Sequence, residues 1–275
     1  MFPDFIIIGA MKCGTSSLYH YLHLHPEIGM SDFKEVDYFV EENNFNKGAE
    51  WYEARFHGAF EHYGEVSPNY SKAHFFRGVP QRMHSLLPGV KLIYLVRDPV
   101  ERLISHYTHN YSEGREHNSI SEALSGGWDD NHYIMCSRYY WQLEHYLKFF
   151  PQEQILVVPS FRLKFNRKAA LERIFRFIGV DDSFYTEAYS TQLHKTDRKR
   201  RKGRVARYIL ESPVIKTLKG YLPDEVKDPV KRWTRPEVQK PELPAHLREK
   251  LRDYFRPDIE ALQRLTGETF NDWTA

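Results

Sequence analysis

Apolar and polar residues follow two rhythms along this chain. Asp4–Ile8 (DFIII) is a short apolar run closing at Gly9, the pattern of a strand buried on both faces. From Thr15 to His25 the apolar positions Leu18, Tyr21, Leu22 and Leu24 recur at helical spacing, and Pro26 ends the run. The same alternation returns with KLIYLV (91–96), a second buried strand. A helix from about Val100 to Tyr111 follows it, with Asp98 as N-cap and Pro99 in its first turn. Tyr139–Phe150 reads as helix, QILVV (154–158) as strand, and Ala169–Ile178 as a helix stopped by Gly179. Glu65–Ser67 reads as the end of a further short strand. Leu247–Leu265 is a last amphipathic helical segment, expected to kink or break at Pro257. Strands alternating with helices predict a three-layer α/β fold, with a central, mainly parallel sheet flanked by helices.

Composition refines this picture only a little. The chain has 275 residues, enough for one large α/β domain or two smaller ones. We read 1–275 as one domain, with 191–243 a loop-rich, basic segment within it. Net charge is +2, too mild to imply a nucleic-acid partner. No apolar run reaches the length of a membrane span, and the start MFPDFIIIG lacks a basic leader. These features lead to the expectation of a cytoplasmic protein. Cys13 and Cys136 form neither a disulfide framework nor a zinc pattern. Cys13 lies in a loop where backbone amides can lower a thiol pKa, but a small residue filling a turn is the simpler reading.

The first strand–helix junction, FIIIGAMKCGTSSLYHYL (5–22), carries the chemistry. Gly9 and Gly14 have the spacing of a P-loop, G-x-x-x-x-G-K-[ST], yet Thr15 follows Gly14 directly and the lysine, Lys12, lies inside the loop. Such a turn aims backbone N–H groups at the helix start, which makes an anion site before side chains are counted. Lys12 adds a cation, and Thr15, Ser16 and Ser17 add hydroxyls. In an ATP-binding loop the lysine reaches the terminal phosphates and an acidic residue helps hold Mg²⁺. Here the lysine is displaced, and Asp98, the acidic residue after a strand, suits a helix cap better. A nucleotide that needs no metal fits best; a kinase or NTPase is the alternative.

YLVRDPVERLISHY (94–107) supplies a second candidate anion site: Arg97 at a strand end, with Ser105 eight residues on, about two helical turns later. Taken singly, Arg97 reads equally as a structural ion pair and Ser105 as an ordinary helix residue. Together the two segments resemble the sulfotransferases that use 3′-phosphoadenosine 5′-phosphosulfate (PAPS), most closely the heparan-type and bacterial carbohydrate enzymes. The resemblance extends through HPEIGMSDFKEVDYF (25–39), GAEWYEARF (48–56), GEVSPNY (64–70) and YLKFFPQEQILVV (146–158). It implies that Lys12 stabilises the leaving phosphate, and that Cys13, Gly14, Thr15 and Ser16 hold the 5′-phosphate. It further implies that Arg97 and Ser105 hold the 3′-phosphate, that 3′-phosphoadenosine 5′-phosphate (PAP) is the second product, and that no metal takes part.

The same resemblance makes Glu35, in Lys34-Glu35-Val36, the general base; on the residues alone, an exposed glutamate paired with Lys34 is the plainer reading. The heparan-type enzymes have a histidine where this chain has Asp37 and a lysine where it has Val66, both near the acceptor. One cation fewer and one anion more point to a less anionic acceptor: a hydroxyl-bearing small molecule, a glycan, a glycolipid or a lipid-linked sugar. KTDRKRRKGR (195–204) includes Arg201, Lys202 and Gly203, matching a late segment that closes over the 3′-phosphate in related enzymes. A solvated charge run is the alternative there. A binding protein that keeps the nucleotide site without the chemistry is the remaining alternative.

Overall fold

The computed structural model describes residues 1–190, 240–270 and 273. Five strands form one sheet: β1 (Phe5–Gly9), β2 (Ile28–Met30), β3 (His62–Val66), β4 (Lys91–Val96) and β5 (Ile155–Pro159). Their order is β2-β3-β1-β4-β5, and every pairing is parallel. The expected parallel α/β architecture is therefore present, with helices flanking the sheet. β1 to β4 are buried almost throughout, which is why the strands read as continuous apolar runs rather than alternating ones.

The described α-helices are α1 (Thr15–His23), α2 (Ala49–Glu53), α3 (Val79–Leu86), α4 (Pro99–Ser112), α5 (Ile120–Ala123), α6 (His132–Met135), α7 (Tyr139–Leu147), α8 (Ser160–Phe165), α9 (Arg167–Ile178) and α10 (Ala245–Thr266). Asp98 caps α4 as expected, its Oδ1 accepting the Glu101 N–H at 2.8 Å. α9 stops at Gly179, whose φ of 106° is the left-handed value a glycine allows. β2 was not foreseen from the sequence, being three residues long and outermost in the strand order.

α10 corrects the expectation of a break at Pro257: helix continues through it to Thr266. Leu251, Phe255 and Leu262 are fully buried on either side of the proline, so packing holds the helix where local propensity would end it. Asp258, the next residue, accepts the N–H groups of Tyr140 and Trp141 at 3.0 and 2.9 Å. It thereby caps α7 from another element, and burial pushes its pKa up to about 6. Most of the 191–243 segment, with Arg201, Lys202 and Gly203, lies outside the described residues. No helix among the described residues is long and apolar enough to cross a membrane.

Because all strands run the same way, the loops after β1, β3 and β4 emerge at one edge of the sheet. β1 has β3 on one side and β4 on the other, so this edge is the topological switch point, where open α/β sheets bind ligands. Lys12, Ser67 and Arg97 all come from these three loops.

Candidate active site

The loop after β1 is held in shape by backbone contacts. The Ala10 N–H donates to the Leu95 carbonyl at 2.8 Å, tying the loop to β4, and the Cys13 N–H donates to the Ala10 carbonyl at 3.1 Å. Lys12 and Gly14 have φ values of 72° and 94°. A Cβ on Gly9 would come within 2.0 Å of the Ser71 Oγ, so glycine is needed there for close approach. At Gly14 a Cβ would meet nothing within 4 Å, and the positive φ alone calls for glycine. α1 has no side-chain cap, and the amides of Thr15 and Ser16 precede its internal hydrogen-bond ladder. Such amides, with the macrodipole, make a helix start suited to an anion.

Cys13 departs from the expected set, because its amide is taken by Ala10. Its side chain is 1% exposed beside the Tyr139 hydroxyl, and burial pushes the thiol pKa up. It is a packed turn residue, not a reactive one.

On the β4 side, Arg97 is about one-third exposed, and its N–H donates to Tyr139 Oη at 3.3 Å. Its guanidinium is 3.9 Å from Glu101, a loose contact. Glu101 is held more closely by Lys240 and Arg248, at 2.6 and 3.0 Å. Arg97 thus remains the more available cation of the group. Ser105 sits two turns into α4 and is 6% exposed.

The sequence reading missed Arg102, which is fully buried. Its guanidinium donates to Ser137 Oγ, the Tyr133 and Met11 carbonyls, and His106 Nδ1. Through Met11 it links α4 to the anion loop. A buried arginine with this many acceptors fixes the geometry around it, since each acceptor loses its partner if the arginine goes.

The third side holds Glu35, Asp37 and a network centred on Glu65. Glu35 has φ 64° and Asp37 φ 50°, and the Glu35 N–H donates to the Val66 carbonyl at 2.8 Å. The Glu35 side chain is about half exposed, its Oε1 2.7 Å from Lys34 Nζ. Val66 corrects the expectation of an acceptor contact: it is fully buried in the core and offers the site only its carbonyl. Asp37 is 8% exposed; Asn69 and Asn43 donate to its Oδ2 at 2.6 and 3.3 Å, while its buried Oδ1 has no hydrogen-bond partner. Burial raises its pKa, with Asn69 opposing.

Glu65, at 0% exposure, receives the hydroxyls of Tyr52, Ser67 and Tyr70. Ser67 Oγ in turn accepts the Asp37 N–H, and Tyr70 Oη the Phe39 N–H. One carboxyl group therefore sets the backbone of the segment that carries Glu35. Burial pushes its pKa up to about 7, while three hydroxyl donors oppose the shift.

Lys72 was also missed. Nearly buried, it donates to Asn69 Oδ1 at 2.6 Å, and its charge acts on Asp37 and Glu35. Its place beside Asp37 and Glu35 was not readable from the sequence.

This arrangement has known counterparts. The sequence model of the family described as "Sulfotransferase domain" matches residues 2–268. The chain belongs to the sulfotransferase-domain family. Human heparan sulfate glucosamine 3-O-sulfotransferase 5 is 29% identical over 98% of this chain and 73% of that protein. Mouse bifunctional heparan sulfate N-deacetylase/N-sulfotransferase 3 is 28% identical over 70% of this chain, but only 24% of that much longer protein. The crystal structure of a sulfotransferase from Alicyclobacillus acidocaldarius superposes with a TM-score of 0.71 at 23% identity, covering 99% of each chain. The described residues thus share the fold of that sulfotransferase.

For this sulfotransferase the sequence marked Lys12, Gly14, Thr15, Ser16, Arg97 and Glu35, and topology brings their loops to one sheet edge. Arg102, Glu65 and Lys72 carried no readable signal. A buried arginine in a helix and a glutamate at a strand end look like any others until their neighbours are known.

Proposed function

We propose that this sulfotransferase moves the sulfuryl group of PAPS to a hydroxyl of a glycan or similar sugar acceptor, releasing PAP, and that residues 1–275 act as one domain. The observation that carries the reading is the anion loop at the switch point, with Lys12 inside it, sharing its edge with the Glu35 segment. The names of the heparan sulfate relatives favour a glycan acceptor. The acceptor oxygen attacks sulfur, its proton passes to Glu35, and the bond from sulfur to the bridging oxygen breaks with its electron pair going to PAP. Lys12 and the Thr15 and Ser16 amides meet the charge that develops there. Arg97 and Ser105 hold the 3′-phosphate. Lys34 contacts only Oε1 of Glu35, so its other carboxylate oxygen can accept the hydroxyl proton.

Calorimetric titration with PAP, ADP and ATP, with and without Mg²⁺, tests the donor. Metal-free binding that prefers PAP and is lost in Arg97→Ala supports it; tighter Mg²⁺-dependent binding of ATP would overturn it. Incubation with PAPS and desulfated glycans, with Glu35→Gln as the inactive control, then tests the acceptor class.

A further inference from the structure

Three ligand-type side chains outside the proposed reaction meet where the segment after β3 crosses α6. His74 Nε2 lies 3.0 Å from His132 Nδ1. Cys136 Sγ is 3.8 Å from His74 Nε2 and 3.9 Å from His132 Nε2. One donor atom from each residue lies within 4.8 Å of the other two. A tetrahedral zinc ion, with bonds of about 2.0–2.3 Å to nitrogen and sulfur, sets donor-to-donor edges of roughly 3.3–3.6 Å. The 3.0 Å contact uses Nδ1 of His132 and the 3.9 Å contact its Nε2, so one His132 nitrogen completes the donor set with His74 Nε2 and Cys136 Sγ. His132 and Cys136 are four residues apart and share one helical face, while His74 arrives from 58 residues away. The thiol is buried, and both imidazoles are partly open to solvent, which leaves room for a fourth ligand.

We propose that His74, His132 and Cys136 form a three-ligand site for a zinc-type divalent ion, with water in the fourth position. The bound ion pins the segment after β3 to α6. The surrounding charges make this an exchangeable site. Burial and the Lys72 charge hold His74 and His132 down, to about 4 and about 3, so both rings are neutral at physiological pH. Burial raises the Cys136 pKa, and Arg102 and Lys72 pull it back. These two cations oppose a dication, and the thiolate formed on binding offsets one charge. His106 also stacks edge-on against His132, and its ring is held neutral chiefly by burial.

Gln142 sets the resting proton positions. Its Oε1 accepts the Ala73 N–H at 2.8 Å and its Nε2 donates to the Met135 carbonyl at 2.9 Å, which fixes the amide orientation. The same NH₂ then faces His74 Nδ1 at 3.2 Å, leaving the His74 proton on Nε2. Metal binding must move that proton to Nδ1, against the amide. Gln142 therefore weakens the site, and a carboxylate in its place would strengthen it.

The test is Co²⁺ titration of the full chain, stripped with EDTA and kept reduced, read by absorbance and followed by Zn²⁺ competition. The proposal expects one equivalent of Co²⁺, a thiolate-to-cobalt charge-transfer band, displacement by Zn²⁺, and tighter binding as pH rises and the thiol proton leaves. Cys136→Ser should abolish the band. His74→Ala and His132→Ala should each weaken binding at least about tenfold, and Gln142→Glu should tighten it. His117→Ala, at an exposed position, should change nothing. Thermal unfolding in EDTA establishes that each variant is folded; Cys136→Ala and His132→Gln replace any that is not. Absence of the band in the wild-type chain, its survival in Cys136→Ser, or unchanged affinity in both histidine variants would overturn the site in favour of a metal-free hydrogen-bonded trio.

Discussion

The two halves of the site are built in opposite ways. On the donor side, the loop after β1 and the start of α4 rely on backbone: N–H groups at a helix start, glycine at two positions, and Asp98 as a local cap. Such devices are written in adjacent residues. On the acceptor side, the Glu35 segment is held by Ser67 and Tyr70, which with Tyr52 of a separate stretch meet at the buried Glu65. A backbone-built loop keeps its shape when exposed side chains change, whereas a network built around one carboxyl group fails together when that group is altered.

The largest effect is expected at Arg102, a buried side chain on which the donor half also depends. Arg102→Met leaves its hydroxyl and carbonyl acceptors without their donor and should cost about 3 kcal/mol or more, measured by urea unfolding. A loss under 1 kcal/mol would mean that water replaces the guanidinium.

Next, Glu65→Gln should cost about 2 kcal/mol at pH above 7, where the carboxylate accepts three hydroxyls and an amide has only one oxygen to accept them. Turnover should fall further than PAP affinity, since the altered loop carries Glu35 and not the anion site. Equal loss of both would erase the distinction between the halves.

Glu65 also predicts a pH dependence. Its pKa in the fold is raised to about 7 from 4.5, so the fold favours the protonated form. Its contribution is fully present below pH 4.5 and is lost as pH rises through about 7. The slope is at most about 1.4 kcal/mol per pH unit, and it should disappear in Glu65→Gln. Unfolding curves across pH 4 to 8 should show this limb in the wild-type chain and not in Glu65→Gln.

The smallest effect is expected at Lys34→Ala. Its pair with Glu35 has one partner half exposed, so stability should change by less than about 1 kcal/mol. Activity is the informative readout, because removing Lys34 frees the Glu35 carboxylate.

The parallel α/β class, β1 and β4 nearly to the residue, the Asp98 cap and the displaced-lysine loop were all legible in the residues. All of these rest on near neighbours in the chain: apolar runs, helical spacing, a cap and a glycine pair. Folding was needed to see that α10 runs through Pro257, that Val66 is core, that the Cys13 amide is occupied, and that Arg102, Glu65 and Lys72 frame the site. It alone brought His74 to His132 and Cys136. The physical reason is range: backbone preferences act over a few residues, whereas the protonation and partners of a buried polar group depend on what folding packs around it.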